Sequence, residues 1–413
     1  MHSDSMKSRL LTGAGAVLLF AGACGGPESL TGPNPLLTPT PFNLSLLGQG
    51  SVTERVTAEL WVNGNTAYTT TWGSRTTNGI AVRGNAIKIW DVASATPVLV
   101  DSVIVADATT LGDVQATADG RYLVVATEAI GSLVIYDIQD PRKPVQVSRF
   151  QNADILNGVH TAEVQLVNGT LYAFLSIDPR GAEKARLVIL DLSNPAAPSM
   201  VFSQVMGNPY VHDVFVRDGI LMTALWNDGI AIFDIGGGGK GGTVANPIRL
   251  GGTQIVGGKA HNIFWYNDPR TGSKRFALAG EEGPGSIPTA SVGDVHVIDV
   301  TDLSNPHEVA FYNVPGAGVH NFSADEDRGI LYAAYYNGGV RALSIRGDLG
   351  TCKTDQKSGD GRCDLRKMNR ELAKGPVAVT FPIYVWGAQF TGGKLYASDM
   401  LNGLFRLSTV PKF

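Results

Sequence analysis

Residues 187–198 read LVILDLSNPAAP: four apolar residues, Asp191, then a turn carrying Asn194-Pro195. A run that short, apolar on successive positions and rich in β-branched side chains, is a strand covered on both faces rather than one alternating between core and water. Asp, Asn and Pro directly behind it form turns, so the strand stops there. The phrase recurs as Ile87-Lys88-Ile89-Trp90-Asp91, Leu133-Val134-Ile135-Tyr136-Asp137, Ile230-Ala231-Ile232-Phe233-Asp234 and Val295-His296-Val297-Ile298-Asp299, with Pro97, Pro141, Pro247 and Pro306 behind. Weaker copies end in Ser344 and Ser408, which makes seven. Each copy follows two further strands, so a repeat of about 50 residues supplies one small sheet that must stack on its neighbours.

Stacked sheets of this kind predict an all-β chain, a seven-bladed β-propeller with four antiparallel strands per blade, because ring closure leaves few exposed strand edges. The last copy has only five residues after Ser408 and lacks its fourth strand. Residues 34–48, NPLLTPTPFNLSLLG, resemble the turn and fourth strand of another repeat, NPHEVAFYNVPG at 305–316. Residues 42–48 are therefore expected to complete the last blade, within a propeller spanning 42–413. Residues 346–374 interrupt it as one large charged insertion, either a solvated loop or a docking arm.

The chain ahead of the repeats has a different character. Lys7 and Arg9 precede an apolar run from Leu10 to Phe20 and then Ala21-Gly22-Ala23-Cys24. This predicts a secretory signal over 1–23, too short to cross a bilayer as a mature helix. Residues 24–41 read as a flexible tether. The three cysteines are Cys24, Cys352 and Cys363. The last two sit in CKTDQKSGDGRC and are expected to pair in an oxidising compartment. Cys24 is left over where the bacterial lipoprotein box, which this segment resembles, places its lipid. The expectation is an exported lipoprotein, held on a membrane through Cys24 at the outer membrane or cell surface, with the periplasm as the alternative. A net charge of −4 with no basic stripe excludes a nucleic-acid partner.

LVIYDIQDPRKP (133–144) and LVILDLSNPAAP (187–198) resemble the LVIVD-repeat family of bacterial surface β-propellers. The resemblance covers roughly residues 57–408, with the last two copies degraded. It implies a propeller fold and a surface location, and it carries no established activity. His212-Asp213-Val214 and His261-Asn262-Ile263 are also similar to segments of selenium-binding, methanethiol-oxidase-type copper propellers.

Chain direction reverses at each turn, so the start of a repeat's first strand and the loop after its second share one face of the disc. Counting back from the first turns puts Thr57, Asp113, His160, His212, His261, His320 and Trp386 at those starts. The loops on the same face bring Glu128, Asp178, Asn227, Glu281, Glu282 and Asn337. The predicted ligand-binding set is His160, His212, His261, His320, Asp113, Asp213, Glu163 and Glu282. Within it His212, His261 and His320 are the metal candidates, since imidazoles converging from several repeats suit copper, zinc or iron. Three readings follow: a surface binding or scaffolding protein with a protein or small-molecule ligand over the channel, a metal-dependent oxidoreductase or lyase on the same histidines, or a structural envelope protein. The first needs no enzymatic activity. The Asp residues ending the apolar runs read as turn caps on the opposite face. GGGGKGGT at 236–243 lacks the order of a phosphate loop, and no nucleophile elbow is present.

Overall fold

The computed structural model describes residues 42–411; the expected signal, tether and Cys24 lie outside them. Their regular elements are β-strands, apart from a short 3-10 turn at Thr354–Gln356, and no helix among them is long and apolar enough to cross a membrane. The architecture is that of a β-propeller: small antiparallel sheets following one another along the chain.

After β1 (Phe42–Ser51), the first sheet is β2 (Val56–Asn63), β3 (Thr66–Trp72), β6 (Ala86–Asp91) and β7 (Val98–Ile104). A hairpin, β4 (Ser74–Thr77) and β5 (Ile80–Arg83), stands out of the β3–β6 connection. The next sheet holds β8 (Thr110–Ala116), β9 (Tyr122–Glu128), β10 (Ser132–Asp137) and β11 (Val145–Phe150). It is followed by β12 (Val159–Val167), β13 (Thr170–Ile177), β14 (Arg186–Asp191) and β15 (Ser199–Val205). Then come β16 (Asp213–Arg217), β17 (Ile220–Ala224), β18 (Ile230–Asp234) and β19 (Ile248–Thr253). The sheet of β20 (Ala260–Trp265), β21 (Phe276–Glu281), β22 (Val295–Asp299) and β23 (His307–Tyr312) gains a parallel edge strand, β27 (Cys363–Asp364).

The remaining strands form one eight-stranded sheet: β24 (Phe322–Asp325), β25 (Ile330–Ala334), β26 (Val340–Ser344), β28 (Glu371–Val377), β1, β31 (Gly403–Leu407), β30 (Lys394–Asp399) and β29 (Val385–Thr391). In it β1 changes partner along its length. Phe42–Ser45 runs parallel to β28, whereas Leu46–Ser51 runs antiparallel to β31. The stretch on β31 thus begins four residues later than the 42–48 expected from the repeat pattern.

The five apolar runs ending in Asp are β6, β10, β14, β18 and β22, and their alternate side chains enter different cores. Val134 and Tyr136 pack with Ile87, Ile89 and Tyr68, while Leu133 and Ile135 pack with Val188 and Leu190. Leu187 and Ile189 meet Ala231 and Phe233, and Ile230 and Ile232 meet Ile298. Val295 and Val297 pack with Leu343; Val340 and Ala342 pack with Phe405 and Leu407. Finally Leu404 and Tyr396 pack with Trp90, Leu60 and Val62 of the first sheet. Burying each such side chain contributes about 1.5–3 kcal/mol. The terminal carboxylates accept from backbone two residues on: Ala93 N to Asp91 at 2.9 Å, Ser193 N to Asp191 at 2.7 Å, Thr301 N to Asp299 at 2.9 Å. The glycine-rich loop wraps Asp234, whose carboxylate accepts from the N–H of Gly236, Gly238, Lys240 and Gly242.

Cys352 and Cys363 are joined by a disulfide. Cys363 and Leu365 enter the core with Tyr312 and Val314, so this part of the insertion packs against β23 rather than reaching outward. Arg362 pairs with Glu308, which also accepts from His296 Nδ1 at 2.8 Å. Burial works against charge on His296, but Glu281 and Glu308 together hold it up at about 9.

Leu44 is fully buried between β28 and β31. Leu44→Ala is expected to cost about 2–5 kcal/mol in chemical denaturation, and an unchanged midpoint would remove β1 from the core. Because the folded-state value of His296 is raised, its contribution is complete below the unfolded value of about 6.5 and is lost as pH rises through about 9. The stability difference between the parent and His296→Gln should therefore shrink across that window.

Candidate functional site

His160 and His261 lie at the starts of β12 and β20, while His212 and His320 fall just before β16 and β24. The backbone N–H of His212 bonds Ala224 O, and that of His320 bonds Ala334 O, each at 2.8 Å, so both sit in register with the second strand of their own sheet. Their rings meet in sequence. Ring centroids are 4.2 Å apart for His160–His212, 4.1 Å for His212–His261 and 4.2 Å for His261–His320. Trp386 continues the row at 4.2 Å from His320, and Trp72 lies 5.8 Å beyond it. Trp72 Nε1 donates to Glu128, and Glu128 Oε1 accepts from His160 Nδ1 at 3.0 Å. Seven side chains therefore contact one another in a circuit that returns to its start.

Glu282 enters this circuit from the loop after β21. Its Oε2 lies 3.6 Å from His212 Nε2 and 3.7 Å from His261 Nε2, and its Oε1 lies 4.0 Å from His320 Nε2. Tyr336 donates its hydroxyl to Oε1 at 2.6 Å. His320 Nδ1 contacts the carbonyl of Trp386 at 2.8 Å. A carbonyl only accepts, so Nδ1 carries the proton and Nε2 presents a lone pair toward Glu282. His261 is 2% exposed, and neither of its ring nitrogens has a hydrogen-bond partner.

The charges divide sharply. Burial, reinforced by neighbouring imidazoles, drives His212 and His261 well below the ordinary histidine range, and burial takes His320 to about 3. These three are neutral imidazoles at neutral pH. Burial opposes charge on His160 as well, but Glu128 and Asp178 outweigh it and raise it to about 10. Glu282 is raised by burial.

Beneath the imidazoles lies a cavity of ≈ 400 Å³ lined by Glu59, Asp113, Glu163 and Asp213, with no Lys or Arg in its wall. Burial raises all four: Glu59 to about 8, with Asp113 adding to it, Asp213 to about 7, Glu163 well upward and Asp113 upward. They also tie neighbouring sheets together. Asp113 accepts from Ala162 N at 3.2 Å, and Glu59 accepts from Asn321 Nδ2 at 2.7 Å and Trp386 Nε1 at 2.6 Å.

The structure brings together His160, His212, His261, His320 and Glu282 and sets Asp113, Glu163 and Asp213 in the adjoining wall. Glu281 turns away toward His296, and Asn337 bonds Ser291 and Gly316. Sequence reasoning missed Glu59, Trp72 and Tyr336. Glu59 had one visible signal, two residues after Thr57 on the same side of a strand. Among the described residues, two groups have one ligand atom from each residue within 4.8 Å of the others: His212–His261–Glu282 and Glu128–His160–Asp178.

Comparison with known proteins returns a family model described as LVIVD repeat, matching residues 181–205, the stretch holding β14 and β15. It supports the LVIVD resemblance and lends nothing to the selenium-binding one. No curated protein matches the chain.

A carboxyl raised to about 8 withholds stability as pH climbs from its unfolded value of about 4.3 through 8, because the folded state keeps a proton the unfolded chain releases. Glu59→Gln should therefore gain on the parent between pH 5 and 9 in denaturation midpoint. A constant difference would mean that Glu59 is ionised throughout.

Proposed function

As an LVIVD-repeat propeller, we propose, the chain forms a closed ring of seven blades whose channel mouth holds a transition-metal ion. Two circuits support the ring. Apolar cores are shared from each sheet to the next until Leu404 and Tyr396 reach Trp90. Side chains around the mouth run from Trp72 through Glu128, the four histidines and Trp386 back to Trp72. On this reading β1 is the fourth strand of the last blade.

The observation that carries the metal reading is the convergence of three imidazoles on one carboxylate, neither ring nitrogen of the buried His261 having a hydrogen-bond partner. A tetrahedral ion with ligands at 2.0–2.2 Å keeps them about 3.4 Å apart; ligand atoms of His212, His261 and Glu282 lie within 4.8 Å of one another, and His320, 4.0 Å from Glu282, would have to close in to complete the set. Three nitrogens and one oxygen suit copper, zinc or iron. His212, His261, His320 and Glu282 would be the ligands. Tyr336 would orient the carboxylate and the Trp386 carbonyl would orient His320, as partners of ligands do in metal sites.

Export under the 1–23 signal and a lipid at Cys24 complete the reading, giving a membrane-tethered protein that binds its ligand over the channel. One observation favours a metal-dependent oxidoreductase or lyase instead: the ≈ 400 Å³ cavity adjoining the ligands leaves room for a small substrate.

Elemental analysis of protein purified without an affinity tag tests the metal. Stoichiometric copper, zinc or iron in the parent, lost in His261→Ala with the fold retained, is the expected result. A metal-free parent that takes up none of the three on dialysis overturns it.

A further inference from the structure

We propose that Glu128, His160 and Asp178 form a separate, oxygen-rich cation site at the same channel mouth, suited to a hard divalent ion of the manganese class. The inference does not require the imidazole site to be filled.

Three segments are brought to one point by the backbone of Gly158. Glu128 at the end of β9 pairs with Gly158 in an isolated bridge, and Asp178 N donates to Gly158 O at 2.9 Å. Gly158 takes φ +147, and a Cβ there would lie 3.2 Å from Asp178 Oδ2, 3.4 Å from Ala129 N and 3.5 Å from the Glu128 Cα. A side chain would thus have to fit between the two acid-bearing loops in a conformation that favours glycine. Ala129, directly after Glu128, holds φ +62, a left-handed conformation uncommon for residues other than glycine. His160, two residues past Gly158, delivers its ring onto the two acids.

The result repeats the construction of the imidazole site: a ring from a strand start meets carboxylates from the loops after second strands. One ligand atom from each of the three residues lies within 4.8 Å of the others, and His160 Nδ1 is 3.0 Å from Glu128 Oε1. Trp72 Nε1, 3.3 Å from Glu128, would remain as the outer partner of that carboxylate. The donor sets differ in kind. The imidazole site offers three nitrogens and one oxygen; this one offers one nitrogen and two carboxylates, a harder set better suited to manganese than the imidazole site is. A divalent cation here would take the place of the proton between His160 and Glu128. The rings of His160 and His212 are 4.2 Å apart, so the two sites would share one mouth.

Metal-stripped protein titrated with Mn²⁺, with free ion followed by its paramagnetic resonance, tests this. The parent should bind one Mn²⁺, Asp178→Asn should weaken that binding by at least about a hundredfold, since losing even an outer partner of a ligand costs about 10–100-fold, and His261→Ala should leave it unchanged. Thermal melting without metal checks the fold of each variant, and Glu128→Gln takes the place of Asp178→Asn should the latter not fold. No Mn²⁺ uptake by the parent, or equal uptake by the parent and Asp178→Asn, overturns the proposal. Uptake lost in His261→Ala and kept in Asp178→Asn also overturns it, placing the ion at the imidazole site and leaving that reading standing.

Discussion

Each sheet has two apolar faces and no means of hiding either alone. The inner strands show this most plainly: Leu133 and Ile135 leave β10 on one side, Val134 and Tyr136 on the other, and both pairs are fully or almost fully buried. Such a strand is stable only with a neighbour on both sides, so the packing of one sheet is a condition for the next. Tertiary burial, rather than strand propensity, therefore fixes where each repeat stands. The strand starts inherit their positions from that stacking, and residues about fifty apart in sequence come to lie ring against ring.

The chemistry of the imidazole cluster follows from how little water reaches it. Three imidazoles at van der Waals spacing could not all be charged, and burial keeps them neutral. His160 differs in lying against two carboxylates, Glu128 and Asp178, whose charges outweigh its burial and reverse the sign of its shift. Four similar residues therefore divide into a neutral, nitrogen-donating group and one cation paired with acid. The carboxyls below meet the same problem with no Lys or Arg in the wall, and they answer it with backbone and amide donors from adjacent sheets.

Much of this was legible beforehand because period and phase survive in the sequence. The five apolar runs mark β6, β10, β14, β18 and β22, and their terminal Asp residues cap turns as their position suggests. The convergence of His212, His261 and His320 could be read from their equal distance to the following turn. Glu59 escaped because the count stopped at Thr57, and β2 carries an irregularity between Thr57 and Leu60 that breaks the register there. Of the two adjacent acids the predicted ligand-binding set holds Glu282, and Glu281 and Glu282 do leave the chain on opposite sides, one toward His296 and one toward the imidazoles. Trp72 and Tyr336 resembled ordinary core aromatics. Strand β27 is two residues long and exists only because β23 offers an edge, which no local pattern announces.

The hydrogen bond from Ser45 N to Ser408 Oγ spans 363 positions. On a ribosome, or in any vectorial passage of the chain, β1 emerges long before its partner β31. Throughout that interval Leu44 has no core to enter, and the strand edges that the two will share are open. Contacts of such long range delay the final folding step and leave incomplete molecules prone to pair with one another. The same delay keeps the chain pliable until β31 has followed β1, so the sheet they share locks only when both strands are present.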